Sequence, residues 1–245
     1  MRDETIVIER RFRGPPESGH GGYTCGLLAR EIPGAAEVSL RMPPPLERGL
    51  TVATRDGEGL QLRDGDAIVA EGRAATLDVQ VPPPVALDQA EAAVMGFAGF
   101  TRHAFPTCFA CGPDREEGDA LRLFPGPVDG RDLIACPWEP DTSLADEHGN
   151  VRPEFVWAAL DCPTAFTWEQ DPPIVLARLS ARIDQAVRTG EPHVISAWRV
   201  ERDGRKQHSA CAISTPGGDV LAVAQALWIE LKDPSSFRAE TAKRS

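Results

Sequence analysis

The chain has 245 residues, 42% of them hydrophobic and 26% charged, with a formal net charge of −11 and 22 residues each of glycine and proline. That length and composition can bury a core of ordinary size, and the abundant glycine and proline favour short elements joined by turns over a few long helices. So acidic a surface repels a phosphate backbone, which excludes nucleic acid as the expected partner, and no stretch reaches the ~20 apolar residues of a membrane span.

In chain order, residues 5–12 read as a strand, followed by the turn-rich run GPPESGHGG. Residues 23–32 have helical character, with Leu27, Leu28 and Ile32 at spacings that share one face, and Pro33-Gly34 stops the run. Residues 37–42, 50–55, 59–62 and 67–79 are strand-like, several with the alternation of a half-buried sheet. Pro82, Pro83 and Pro84 break the pattern. ALDQAEAAVMGF then supplies good helix formers with no breaker before Gly96, so residues 82–104 read as a connector containing a short helix.

Beyond the connector, residues 120–124 and 132–138 are strand-like. The loop TSLADEHGN leads into VRPEFVWAALD, a helix with Pro153 in its first turn, where a missing N–H costs little. Strands are expected at 174–183, 194–201, 207–214 and 219–231. Each half therefore runs strand, loop, helix, four strands. Residues 67–74 also lie over residues 219–226, with Ala70 over Ala222 and Ala74 over Ala226. Duplication of one module explains both features, and the expected organisation is a module at 1–81, the connector at 82–104 and a second module at 105–245. Each such module has one wide apolar face, and two can cover each other as the subunits of a dimer would.

Two segments are similar to a known family. GHGGYTCGLLA (residues 19–29) resembles the helix entry of hotdog-fold acyl-CoA thioesterases of the phenylacetate-pathway type, whose helix opens with His-Gly-Gly and carries an acid about two turns later. FPTCFACGPDR (residues 105–115) resembles the CxxCGP-type segment that precedes the first strand in many thioesterase-like hotdog proteins. The resemblance implies an α+β double hotdog: two antiparallel sheets, each wrapped around a central helix, fused in one chain. Laying Gly21-Gly22 over Pro153-Glu154 puts the family's acidic position on Ala29 in the first half and on Asp161 in the second. One half keeps the glycines and the other keeps the acid, so the resemblance implies one complete asymmetric site and one vestigial site.

For that site the resemblance implies Asp161 as general base or nucleophile, a choice the sequence leaves open, with the helix-start amides at Gly21 and Gly22 as oxyanion donors and His20 assisting by hydrogen bonding or shaping the turn. The bland readings stand beside these: a glycine-rich turn before a helix, and for Asp161 a polar residue near a helix bend made by Cys162-Pro163. Glu154 reads as complementing a helix dipole and could also face a ligand. Arg178 and Arg182 in one strand, and Arg199, Arg202, Arg205 and Lys206 at the next hairpin, are either solvated or a landing site for coenzyme A phosphates.

Cys108-Phe109-Ala110-Cys111 has zinc-like spacing, but a structural zinc needs four ligands. His103 is the only further ligand type near it in sequence, so buried thiols in a turn, and no metal, are expected. No cofactor is expected other than coenzyme A as part of the substrate. The charged N-terminus, without a following apolar run, and six cysteines read as free thiols fit a reducing cytoplasm. The expected partner is a small-molecule acyl thioester, and the expected assembly is a monomeric pseudo-dimer or a homodimer. A non-catalytic acyl-binding protein with a degenerate site is the alternative. An enoyl-thioester hydratase ranks below both, because no Asp-x-x-x-x-His pattern sits at a helix entry.

Overall fold

The apolar alternation noted along the strands feeds a single antiparallel sheet. A computed structural model describes residues 5–55, 59–169 and 171–232, so the outer limits of the expected modules, at 1 and 245, lie outside the described residues. The first half forms β1 (Thr5–Val7), α1 (Gly21–Ala29), β2 (Ala36–Leu40), β3 (Gly49–Arg55), β4 (Gly59–Asp64) and β5 (Ala67–Ala74). After α2 (Leu87–Ala93) come β6 (Gly126–Pro127), β7 (Ile134–Trp138), α3 (Pro153–Ala165), β8 (Ile174–Ile183), β9 (His193–Asp203), β10 (Lys206–Ser214) and β11 (Val220–Glu230).

The strands lie in the order β1-β3-β4-β5-β2-β8-β11-β10-β9-β7-β6. The order β1-β3-β4-β5-β2 of the first half returns as β7-β9-β10-β11-β8 in the second, and the matching segments at 67–74 and 219–226 fall on the corresponding strands β5 and β11. The expected pair of separate sheets is corrected here: β2 pairs with β8, Val38 opposite Leu179, and the two halves become one sheet. Unpaired, both strands would present bare N–H and C=O groups along an edge, and the pairing satisfies them together.

Every α1 residue from Gly22 to Ala29 is buried, as is α3 from Glu154 to Ala165, which is the signature of helices enclosed on all sides. The two helices pack against each other and onto the sheet. Glycine makes this contact possible: a Cβ on Gly26 would sit 2.6 Å from Glu154 Cα. At one end of the pair, Phe12 stacks on Tyr23 at 4.4 Å between ring centroids and meets Phe109 edge-on at 5.0 Å.

Several expected strands are shorter than read, and one is absent. Residues 5–12 end as a strand at Val7, and Arg10–Phe12 form a 3-10 turn that carries Phe12 into this aromatic cluster. Residues 67–79 leave the ladder after Ala74, and Leu77 packs on Ala212 and Val223 instead. Residues 120–124 form no strand, because Leu121 N–H and Leu123 N–H donate to the carbonyls of Phe109 and Ala110 in the cysteine-bearing loop. Among the described residues no helix is long and apolar enough to cross a membrane.

Candidate active site

His20 is the N-cap of α1. Its backbone is extended, its Nδ1 accepts from Tyr23 N–H at 3.2 Å, and its carbonyl accepts from Thr24 N–H at 2.9 Å. Asp161, on α3, reaches the same turn from the other half of the chain. Its Oδ2 accepts from Gly22 N–H at 2.6 Å and lies 3.6 Å from His20 Nδ1. Two of the amides that a helix start leaves free, those of Gly22 and Tyr23, are thus taken by groups of the protein itself.

Asp161 is 1% exposed, and its Oδ1 is buried without a hydrogen-bond partner among the described residues. Burial pushes its pKa up to about 6, against the pull of His20 and the Gly22 amide. The expected disturbance by Pro163 does not break the helix, which runs on to Ala165. The Thr164 hydroxyl donates to the Asp161 carbonyl at 2.5 Å and accepts from Trp228 Nε1 at 2.8 Å, and these bonds tie this turn to the sheet.

His20, Gly21, Gly22 and Asp161 therefore meet, but without a gap. A Cβ on Gly22 would lie 2.4 Å from Asp161 Cβ and 2.7 Å from the Trp157 carbonyl oxygen, and one on Gly21 would lie 2.8 Å from Leu176 Cδ2. In this state the two glycines admit the protein's own side chains rather than a substrate. A surface cleft of about 580 Å³ lies elsewhere, bordered by Leu121, Arg122, Trp138 and Leu144.

The remaining candidates lie apart. Glu154 is seven residues before Asp161, roughly 10 Å along the helix. It is buried, with Arg152 Nε 3.8 Å from its carboxylate. Arg178 and Arg182 alternate with the buried Leu179 and Ala181, so they project from the opposite face of the sheet. Arg178 donates to Ser39 Oγ at 3.2 Å across the β2–β8 seam, and Arg182 donates to Asp184 at 2.7 Å and to the Leu77 carbonyl at 2.6 Å. Arg199 donates to the Thr167 carbonyl, Arg202 and Arg205 engage Glu230, and Lys206 pairs with Asp203. All six cations expected as a phosphate landing site are engaged within the chain.

Sequence reasoning missed a group beside this site. His20 Nε2 lies 3.1 Å from Cys162 Sγ, and Cys108 Sγ lies 3.7 Å from the same sulfur. Cys111 lies on the same turn as Cys108, and all four side chains are buried. Only the C-x-x-C spacing was legible, since the other two members come from α1 and α3. His103, the ligand type nearest in sequence, is used otherwise: Nδ1 accepts from Phe105 N–H at 2.9 Å, which leaves Nε2–H for the Cys111 carbonyl at 3.1 Å.

Neither a family model nor a curated protein matches this sequence. Solved structures do. The TesB protein of Mycobacterium avium subsp. paratuberculosis superposes with a TM-score of 0.58 at 10% identity, over 88% of this chain and 89% of its own. The acyl-CoA thioesterase II TesB2 of Mycobacterium marinum gives 0.55 at 11% identity, over 93% and 94%. At such identities the likeness is one of fold, and it agrees with the resemblance to hotdog thioesterases except that the two expected sheets are joined into one.

Proposed function

We propose that this chain hydrolyses acyl thioesters, acyl-CoA or a related thioester, at one asymmetric site where the start of α1 meets Asp161. The observation that carries the reading is the state of that carboxyl group. Oδ2 holds the Gly22 amide, while Oδ1 is fully buried with no hydrogen-bond partner among the described residues. A buried polar atom left unpaired is costly and is retained where it serves a reaction or a ligand. In this reading the two halves are copies of one module, and the second site was lost with Ala29.

The chemistry requires an exchange of partners. The thioester carbonyl takes the Gly22 N–H from Asp161 Oδ2, and the positive end of α1 stabilises the oxyanion that forms. The released carboxylate either takes a proton from the attacking water, which adds to the carbonyl, and passes it to the sulfur as the C–S bond breaks, or itself attacks the carbonyl carbon and expels the thiolate, after which water cleaves the acyl-aspartyl anhydride to acid and carboxylate and supplies the proton of the thiol. Because Asp161 is 1% exposed, side chains packed over the start of α1, Leu176 among them, must move aside for substrate to enter.

The missing gap at Gly22 favours a second reading, an acyl-binding protein without turnover. One experiment separates the two. Purified protein is mixed with a panel of acyl-CoAs while thiol release and calorimetric binding are followed. Hydrolysis that falls by about 10²–10⁴-fold in Asp161→Ala supports the first reading, and unchanged activity in that variant ends the role given to Asp161. Binding without thiol release supports the second reading, and neither binding nor release ends both. All six cysteines are free and buried, which suits a reducing cytoplasm as the working compartment, with the fused pair acting as a monomeric pseudo-dimer or a homodimer.

A further inference from the structure

Three buried thiols and an imidazole converge beside the candidate active site from three separate parts of the chain. Cys108 and Cys111 lie in the loop before residues 121–123, Cys162 lies on α3, and His20 caps α1. A four-coordinate zinc with Zn–S near 2.3 Å and Zn–N near 2.0 Å sets its sulfurs about 3.8 Å apart and sulfur and nitrogen about 3.5 Å apart. The corresponding separations here are 3.7 Å for Cys108–Cys162 and 3.1 Å for Cys162–His20. The ligand atoms of His20, Cys108 and Cys162 all lie within 4.8 Å of one another. Cys111 is buried on the same C-x-x-C turn but its sulfur falls outside this group of three, so it has the longest way to move onto a shared ion.

We propose that Cys108, Cys111, Cys162 and His20 form a closed, tetrahedral zinc site that staples the start of α1, the loop at 108–111 and the middle of α3. Sulfur-rich tetrahedral coordination selects zinc over the harder divalent ions, and four protein ligands leave no open position, so the site is structural. Its purpose follows from its neighbours: Gly22 lies two residues from one ligand and Asp161 one residue from another. The ion would fix the spacing of the pair on which the proposed hydrolysis depends, yet it stands or falls independently of that activity.

Three features around the ligands fit this use. A Cβ on Gly112 would lie 2.5 Å from the Pro106 carbonyl oxygen and 2.6 Å from Cys108 N, so glycine is what allows the C-x-x-C turn to close. His103 holds the same turn through the Cys111 carbonyl. Coordination through Nε2 places the His20 proton on Nδ1, and Asp161 Oδ2, 3.6 Å away, is the acceptor it would close on, the carboxylate–histidine–metal arrangement that orients such ligands. The Tyr23 amide gives up its acceptor on Nδ1 in exchange, a small loss beside four metal bonds. The three thiolates leave the bound site a formal −1, which faces the positive end of α1.

The test is metal content, which can be read on the wild-type protein whether or not it hydrolyses anything. Full-length protein expressed with zinc and purified without chelator should hold one zinc per chain by elemental analysis. Cobalt(II) in its place should give the intense visible bands of a tetrahedral thiolate site. Cys108→Ser, Cys111→Ser, Cys162→Ser and His20→Ala should each lose metal, whereas Cys136→Ser, buried outside the cluster, should keep it. Folded wild-type protein that binds neither metal, its thiols either free or joined as a disulfide, overturns the proposal. Metal lost equally in Cys136→Ser also overturns it.

Discussion

The Gly22 amide donates to Asp161 Oδ2 at 2.6 Å, so a backbone group of the first half and a side chain of the second satisfy each other inside the core. The pair is at once a structural bond and the site's candidate machinery, and different substitutions should separate the two roles. Asp161→Ala leaves the Gly22 amide buried without an acceptor, which costs about 1–3 kcal/mol. Asp161→Asn keeps an acceptor at the same place. Denaturant unfolding should therefore find Asn the more stable variant, while both lose thiol release.

The glycines of α1 should prove intolerant for reasons of packing. Gly22→Ala drives a methyl into Asp161 Cβ at 2.4 Å and into the Trp157 backbone, and Gly26→Ala drives one into Glu154 Cα at 2.6 Å. Backbone cannot move aside as a side-chain tip can, so each should lower stability by about 1–3 kcal/mol in thermal or denaturant unfolding. Gly217→Ala, with its nearest neighbour Thr215 Oγ1 at 3.6 Å, should change stability by less than about 0.5 kcal/mol.

The seam between the halves rests on its apolar pairs and ladder rather than on its charges. Arg178 reaches Ser39 and Glu37 across β2–β8, but its side chain is 45% exposed, so Arg178→Ala should cost only about 0–1 kcal/mol. Leu179 is fully buried opposite Val38, and Leu179→Ala should cost about 2–5 kcal/mol. Because Arg178 projects away from Asp161, its removal should leave acyl-CoA affinity unchanged by calorimetry.

The loop before α3 should give a pH-dependent contribution to stability. Asp146 accepts from the Asn150 and His148 amides at 2.8 Å, and the Asn150 amide above all holds its carboxyl below the usual carboxylate range. A depressed folded pKa contributes stability above the unfolded value of about 4 and loses it as pH falls through the folded value. Melting temperatures of the wild type and Asp146→Asn should therefore differ most near neutral pH and converge in acid.

How much could be read in advance depended on the range of the interactions. The two helices, the connector helix and most strands follow local periodicity and turn residues. The strand at 174–183 was read to its last residue, and the doubled order of strand, helix and four strands was visible without coordinates. Residues 120–124 misled because their apolar pattern serves a loop: Leu121 and Leu123 bond to the carbonyls of Phe109 and Ala110.

The sequence by itself determined the α+β order, its doubled succession of strand, helix and four strands, and the split by which one half carries His20-Gly21-Gly22 and the other Asp161. Only the tertiary structure decided that β2 and β8 join the halves into one sheet, that Asp161 fills the amide it was expected to leave for substrate, and that Arg178 points away from it. The same holds for the thiol cluster: C-x-x-C spacing alone named two of its members, and folding brought Cys162 and His20 to them. Periodicity reports which face a residue turns inward. It carries no information on which distant segment will be waiting there, because that is fixed by packing two buried helices against each other, glycine against glutamate and aspartate.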